Sequence, residues 1–391
     1  MRSAALPSLA LLVVAALAGC TPGGLAPAPQ PSTTPPASAA PTATPTPEPA
    51  DASAHRPVLL ATLAASNALA VVDPDAAEPL LDRIEVGRAP WGVATHDGTA
   101  FVSTAEGLAI VDLAAGSRTA LVPYLHQPAG VAFGEYRDGG LGIAVAPDGE
   151  RVYVAVHRWP DPAWLEVYDV DDGVFVASAD VGVRPFDVLA DPSGDWVATI
   201  DHDSYTVSLV DTDTMEVRAV EIAPFGNLGF AGWEKPHYAS ITADGRVALP
   251  YQGLVTVLLD PATGETERIE TTSNSHQHGI TTAPDGTLVT AGTGPFGTAT
   301  GGPNVSLLDP ATGEEQVIPL AHPHETVAIW PGDAGADASG SAAPWSAVLA
   351  GGFTRDGWWD GLTLVDPLSG ELREIPLAGR PQHVLVAAVA Q

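Results

Sequence analysis

The chain has 391 residues, of which 47 are acidic and 16 basic, giving a formal net charge of -31. That balance excludes an ordinary nucleic-acid binder, which needs a basic footprint to neutralise phosphates, and it suits a protein that attracts cations. Hydrophobic residues make up 45% of the chain, enough to bury a sizeable core, so the chain as a whole is not a disordered one.

At the start, Arg2 is followed by an apolar run from Leu9 to Ala18 that closes in Leu17-Ala18-Gly19-Cys20. A run this short after a basic start reads as a secretory signal rather than a membrane span. The four residues ending at Cys20 resemble the lipobox of bacterial lipoproteins, in which the cysteine is lipidated and becomes the first mature residue. The resemblance implies a signal peptide over residues 1–19, a lipid anchor at Cys20 and an extracytoplasmic location on the cell membrane. The alternative is an ordinary signal peptide in which Cys20 is incidental. Cys20 is the only cysteine, so the exported body is expected to hold no disulfide, thiolate metal site or cysteine nucleophile. Residues 20–55 are Pro, Ala, Thr and Ser with almost no large apolar side chain. Such a segment cannot offset its ordering entropy and is expected to be a disordered tether, able to reach about 100 Å when stretched.

From residue 56 to the end one pattern recurs. It runs from a proline, through a short apolar strand, an Asp-Gly turn and two further strands, to a fourth strand after an Asp-led turn. The clearest copy holds Pro236, His237, Tyr238, Asp244-Gly245, Val255 to Asp260, Pro261-Ala262-Thr263-Gly264 and Glu267-Arg268-Ile269. Strand starts are expected at Pro90, near Pro128 or Leu141, and at Pro185, Pro236, His278, His324 and Pro381. Four short strands in each unit of forty to fifty residues is the signature of a β-propeller. Seven blades are expected, in an all-β fold. The opening segment from Pro57 to Val86 supplies only the last three strands of a blade, and Pro381 to Ala390 supplies the missing first strand, closing the ring and removing a pair of edges.

The phrases Tyr153-Val154-Ala155 and Thr206-Val207-Ser208-Leu209-Val210-Asp211 resemble those of YVTN and YncE-like propellers, a branch of the seven-bladed lactonase-like group. The resemblance covers nearly everything after the tether. It implies the fold and leaves the activity open, because such propellers host binding modules and enzymes alike.

In a blade of this kind the first strand lines the central channel, and its start shares a face with the loop between second and third strands. His237, His278 and His324 each stand seven or eight positions before the turn that ends their first strand, so they are expected to be equivalent residues on blades five, six and seven at one mouth of the channel. His276 and His322 come two residues earlier, in the entry loops on that face. Trp91, Phe186 and Gln382 hold the same position on blades two, four and one. His157 and His202 fall in second-to-third-strand loops on the histidine face. His383, one step beyond Gln382, is expected to point away unless a bulge re-aims it. An insertion from Phe133 to Gly140 leaves the register of blade three open.

Imidazole is the commonest protein ligand for zinc and copper, and several such nitrogens on rigid inner strands form a metal site. The expected ligands are His237, His278 and His324, assisted by His276 and His322. Asp187, Asp201, Asp203 and Glu325 are available as oxygen ligands or as acceptors that fix histidine tautomers. Arg184, Lys235 and Arg380, each just before a first-strand proline, suggest a sparse basic ring able to hold an anion. Trp358, Trp359 and Phe296 lie in loops on the same face and suggest a lid or a partner surface. Residues 332–343 read as a flexible insertion.

The reading that follows is an extracytoplasmic metal-binding lipoprotein, a zinc or copper carrier or sensor. Its membrane contact is the lipid anchor alone, and its protein partner an envelope component such as part of a metal transporter. In outline it is similar to propeller metallochaperones that hand zinc to ABC-transporter binding proteins, although the His-rich tract some of these carry is absent. Two other readings stand beside it. One is a metal-dependent lactonase or lyase or a copper oxidase, with His202 or His157 as general base. The other is a metal-free scaffold for protein interaction. The sequence contains no Gly-X-Ser-X-Gly elbow and no phosphate loop.

Overall fold

The computed structural model describes residues 55–222, 235–251, 254–273, 279–292, 302–331, 345–354 and 357–390. The expected signal peptide, Cys20 and the tether up to residue 54 lie outside these residues, as do His276, His278, Phe296 and the whole of the 332–343 insertion.

Among the described residues the chain forms seven four-stranded antiparallel sheets. Within a blade the middle strands are mostly apolar and buried because a neighbouring blade covers each of their faces. Ala68–Val72, Val255–Leu259 and Gly361–Val365 are buried at every position. The outermost strands meet water, and Leu80–Glu85 is exposed at five of its six positions. Seven apolar clusters join successive blades. One joins Leu59, Val72 and Val384 of blade one to Ala328, Val348 and Leu362 of blade seven, and the others join blades one and two through to six and seven. The ring is therefore closed by the same burial that holds each pair of blades. As the sequence implies, Pro381–Ala390 is the inner strand of blade one and pairs antiparallel with His55–Leu63.

The Asp-Gly turns end the first strands on the face opposite the channel mouth. Gly245 has φ +84°, a left-handed conformation that its missing Cβ permits, and its N–H bonds to Thr242 O at 2.9 Å. Pairing in the inner strands begins later than the prolines suggest. It starts at Val93, Ser240, Ile280 and Thr326, past Pro90, Pro236, His278 and His324. In blade three it starts at Gly139, so the insertion precedes the strand rather than interrupting it.

Bulges are the structural device that matters most for the channel. In blade one the partners of Leu63 and Ala61 are Pro381 and Val384, so Gln382 and His383 together oppose Thr62. Similar shifts occur between Pro185 and Asp187 in blade four and between Gly140 and Ile143 in blade three. The bulge in blade one is the condition under which His383 turns inward, and His383 does line the channel.

Candidate functional site

By position on the seven inner strands, the mouth has two levels. The upper holds Trp91, Leu141, Phe186, His237, His324 and Gln382, each at most 1% exposed; His278, expected from the sequence as the blade-six counterpart, lies outside the described residues. The lower level, one residue further on, holds Gly92, Gly142, Asp187, Tyr238, Gly279, Glu325 and His383. Gly142 is required by close approach, since a Cβ there would lie 2.4 Å from the backbone carbon of Asp187. The expected equivalence of His237 and His324 with Trp91, Phe186 and Gln382 agrees with this layout.

The structure places His237 against His202. Their ring centroids are 4.1 Å apart in an edge contact, and His237 also stacks on Phe186 at 4.2 Å. Oε1 of Glu135, from the blade-three insertion, lies 3.7 Å from His237 Nε2. His202 Nδ1 is 2.7 Å from Asp203 Oδ1. That contact sets the tautomer with the proton on Nδ1 and the lone pair on Nε2. Burial pushes His202 down to about 4, with Lys235 and Arg184 adding to the effect against the Asp203 hydrogen bond, so the ring is neutral at ordinary pH. Asp203 itself also bonds Lys235 Nζ at 3.1 Å and the Arg184 guanidinium. Burial opposes its ionisation, but the His202 hydrogen bond and these two cations hold it well below the usual carboxylate range. Arg184 and Lys235 therefore spend their charge on Asp203, and Arg380 lies over Trp358 at 4.0 Å.

His324 and His322 both contact Trp359. His324 Nε2 is 2.8 Å from Thr363 Oγ1, and its ring meets Trp359 edge-on at 5.4 Å. His322 stacks flat on Trp359 at 4.7 Å, with Nε2 3.6 Å from Glu374 Oε1 and its side chain 40% exposed. Trp359 thus packs between two of the expected ligands, while Trp358 remains exposed. His157 is fully buried with Nε2 3.9 Å from Asp138 Oδ1. His126, to which the sequence assigns no role, stacks on Trp164 and contacts the buried Glu166 at 3.0 Å. Asp201 accepts hydroxyl protons from Thr199, Thr206 and Ser208, a saturated structural acceptor rather than one aimed at the mouth.

The insertion closes over the upper level. Tyr136 meets Phe186 edge-on at 6.1 Å and lies under the Arg184 guanidinium at 4.5 Å. Arg137, 2% exposed, donates to Gly140 O at 2.6 Å and lies 5.8 Å from the Trp91 ring. Below it, Tyr238 of blade five donates to Glu325 Oε1 of blade seven at 2.9 Å. Glu325 is fully buried, with Oε2 lacking a hydrogen-bond partner. Burial, and next the Glu135 charge, push its carboxyl well above the ordinary range.

Sequence reasoning missed the His237–His202–Glu135 grouping. The run Asp201-His202-Asp203 was a signal for it, because a histidine flanked by carboxylates has its tautomer-fixing partner at hand. Among the described residues no three His, Cys, Asp or Glu side chains converge as a ready metal-holding group. His276 and His278 are not among the described residues.

No family model and no curated protein matches the chain. Solved structures do. Hydrazine synthase from Kuenenia stuttgartiensis superposes with a TM-score of 0.55 at 16% identity, over 77% of this chain and 95% of that one. A functionally unknown protein from Desulfotomaculum acetoxidans DSM 771 superposes with a TM-score of 0.60 at 12% identity, over 85% and 99%. The chain is a seven-bladed β-propeller. At these identities the likeness carries the fold alone.

Proposed function

We propose that the histidine mouth of this propeller holds a divalent transition-metal ion, zinc or copper. In this reading the protein works outside the cytoplasm as a lipid-anchored carrier or sensor that passes its ion to, or reports it to, an envelope partner. The observation that carries the reading is the His237 environment: a fully buried imidazole in contact with a second imidazole and within 3.7 Å of a carboxylate. A neutral histidine such as His202 needs no deprotonation to ligate, and Asp203 supplies the outer acceptor that metal-bound histidines use. The ligand set assigned is His237 with His278 and His324 from the next two blades, and His276 and His322 form an outer pair that loads or releases the ion. Imidazole-rich sites bind copper(II) at least as tightly as zinc, so supply decides between the metals. A bound ion would also offset the burial of Glu325 next to Glu135.

The test is release. Protein loaded with zinc or copper and freed of excess metal is mixed with a coloured chelator of graded affinity, with and without the His276→Ala/His322→Ala change. The reading expects release from the parent and at least tenfold slower release from the double variant. Release at the same rate from both would remove the outer pair from the mechanism, and failure of the parent to load at all would remove the metal. Production of the Cys20→Ser variant in bacteria checks the anchor, which the proposal expects to be needed for recovery in the membrane fraction.

A further inference from the structure

Beneath the closed mouth the channel contains a cavity of about 700 Å3, within the size range of small-molecule sites. It runs to Pro284, Pro331 and Trp345 at the far ends of the inner strands, while Trp91, Phe186 and His237 of the histidine level above are at most 1% exposed. Trp345 Nε1 there bonds Asp285 in an exposed contact, so this end meets solvent.

The walls are aliphatic, with Ile143, Ile280, Val327, Ile329 and Val386 among them. The hydroxyls of Ser240, Thr282 and Thr326 are already engaged with protein groups. Ser240 and Thr282 bond each other at 2.8 Å, and Thr326 bonds Gln382 O at 3.0 Å. The polar groups at the deep end are Asp187, Tyr238 and His383. His383 Nδ1 is buried without a hydrogen-bond partner. Tyr238 leads on to the buried Glu325. No lysine or arginine lines the cavity among the described residues. Burial pushes His383 down to about 4, so the group there able to carry charge near neutral pH is the Asp187 carboxyl, in a channel otherwise apolar.

We propose that this cavity is a second binding site, separate from the histidine mouth, for a small organic cation: an amine whose ammonium meets Asp187 and whose apolar tail fills the channel toward Trp345. An ammonium offers donors to the Asp187 carboxylate and to His383 Nδ1, and supplies the counter-charge a buried carboxylate otherwise lacks. Burial, opposed by the N–H bonds that Asp187 accepts from Val188 and Ala239, holds its carboxyl up at about 7, a cost that an arriving cation offsets. An anionic ligand gains nothing here, and a neutral alcohol gains only its tail.

The site is tested by calorimetric titration of the full chain with octylammonium, octanol and octanoate, before and after zinc loading. The expected result is one octylammonium per chain, bound at least tenfold more tightly than octanol or octanoate, and equally in metal-free and zinc-loaded protein. That equality separates this site from the metal reading, since failure to load zinc leaves the result unchanged. Asp187→Asn is expected to reduce octylammonium affinity to that of octanol. Thr281→Trp, which fills the channel and leaves Asp187 in place, is expected to abolish all three, and it decides the matter if the Asn variant does not fold. Octanoate binding as tightly as octylammonium, or octylammonium binding unchanged in Thr281→Trp, would overturn the proposal, the latter marking adsorption to the acidic exterior.

Discussion

Replacing Tyr238 by Phe removes a hydroxyl that reaches from blade five to blade seven across blade six, where the residue at that level is Gly279. The hydroxyl donates to Glu325 Oε1 at 2.9 Å, and both residues are at most 3% exposed. Glu325 Oε2 already lacks a partner, so the variant leaves both oxygens of a buried carboxyl without this donor. A net hydrogen bond contributes about 1 kcal/mol, and a buried polar group left unpaired costs about 1–3 kcal/mol, so Tyr238→Phe is expected to cost roughly 2 kcal/mol. Glu325→Leu strands the tyrosine hydroxyl instead and is expected to cost a similar amount. When both are replaced nothing polar is left unpaired, and the double variant should cost at least about 1 kcal/mol less than the sum of the singles. Urea unfolding followed by tryptophan fluorescence gives all four corners of the cycle. Additivity within about 0.5 kcal/mol would refute the idea that this pair is a buried tie across the channel.

Three further outcomes follow from the same geometry. Asp187, raised by burial from 3.8 to about 7, holds its proton more tightly folded than unfolded. Its contribution to stability is therefore complete below pH 3.8 and is lost as pH rises through about 7. Asp187→Asn is expected to flatten the decline measured by urea midpoints across that window, by at most about 1.4 kcal/mol per pH unit, and an unchanged slope would contradict it. Gly142→Ala drives a Cβ to 2.4 Å from the Asp187 backbone and is expected to cost about 3 kcal/mol. Gly245→Ala, with open space around it but φ +84°, is expected to cost about 1–2 kcal/mol; equal costs in the two melts would show that blade contact is not the constraint. Deleting 381–391 removes the inner strand of blade one, and with it Val384 from the cluster that also holds Val348 and Leu362 of blade seven, and is expected to leave a chain without a cooperative thermal transition.

The fold was legible because its signals are local and repeated. Asp244-Gly245 and Asp285-Gly286 punctuate hairpins, and the middle strands advertise two-sided burial by their mostly apolar composition. Even ring closure could be read, since Pro57 to Val86 lacks a first strand that Pro381 to Ala390 supplies. The site was legible only in outline. Equivalence of His237 and His324 with Trp91 and Phe186 follows from counting back from a turn, which needs no tertiary knowledge. The contact of His237 with His202 joins a first-strand entry to a loop of the preceding blade, and Glu135 arrives from an insertion that belongs to no repeat, so no periodicity announces either. The lower level was hidden for a different reason. Bulges at Gln382-His383 and in blades three and four break the alternation from which side-chain direction is inferred, and an outward expectation for His383 becomes an inward fact.

The central claim, a transition-metal ion held at the histidine mouth, is met most directly by metal stoichiometry. Protein made without a histidine tag, loaded with zinc or copper and desalted, is analysed by mass spectrometry of the metal beside a His237→Ala variant whose melting curve matches the parent. The account predicts about one ion per chain in the parent, following from a single multi-imidazole site, and at least a tenfold loss in the variant. A parent that retains no metal, or a variant that retains as much as the parent, would contradict it.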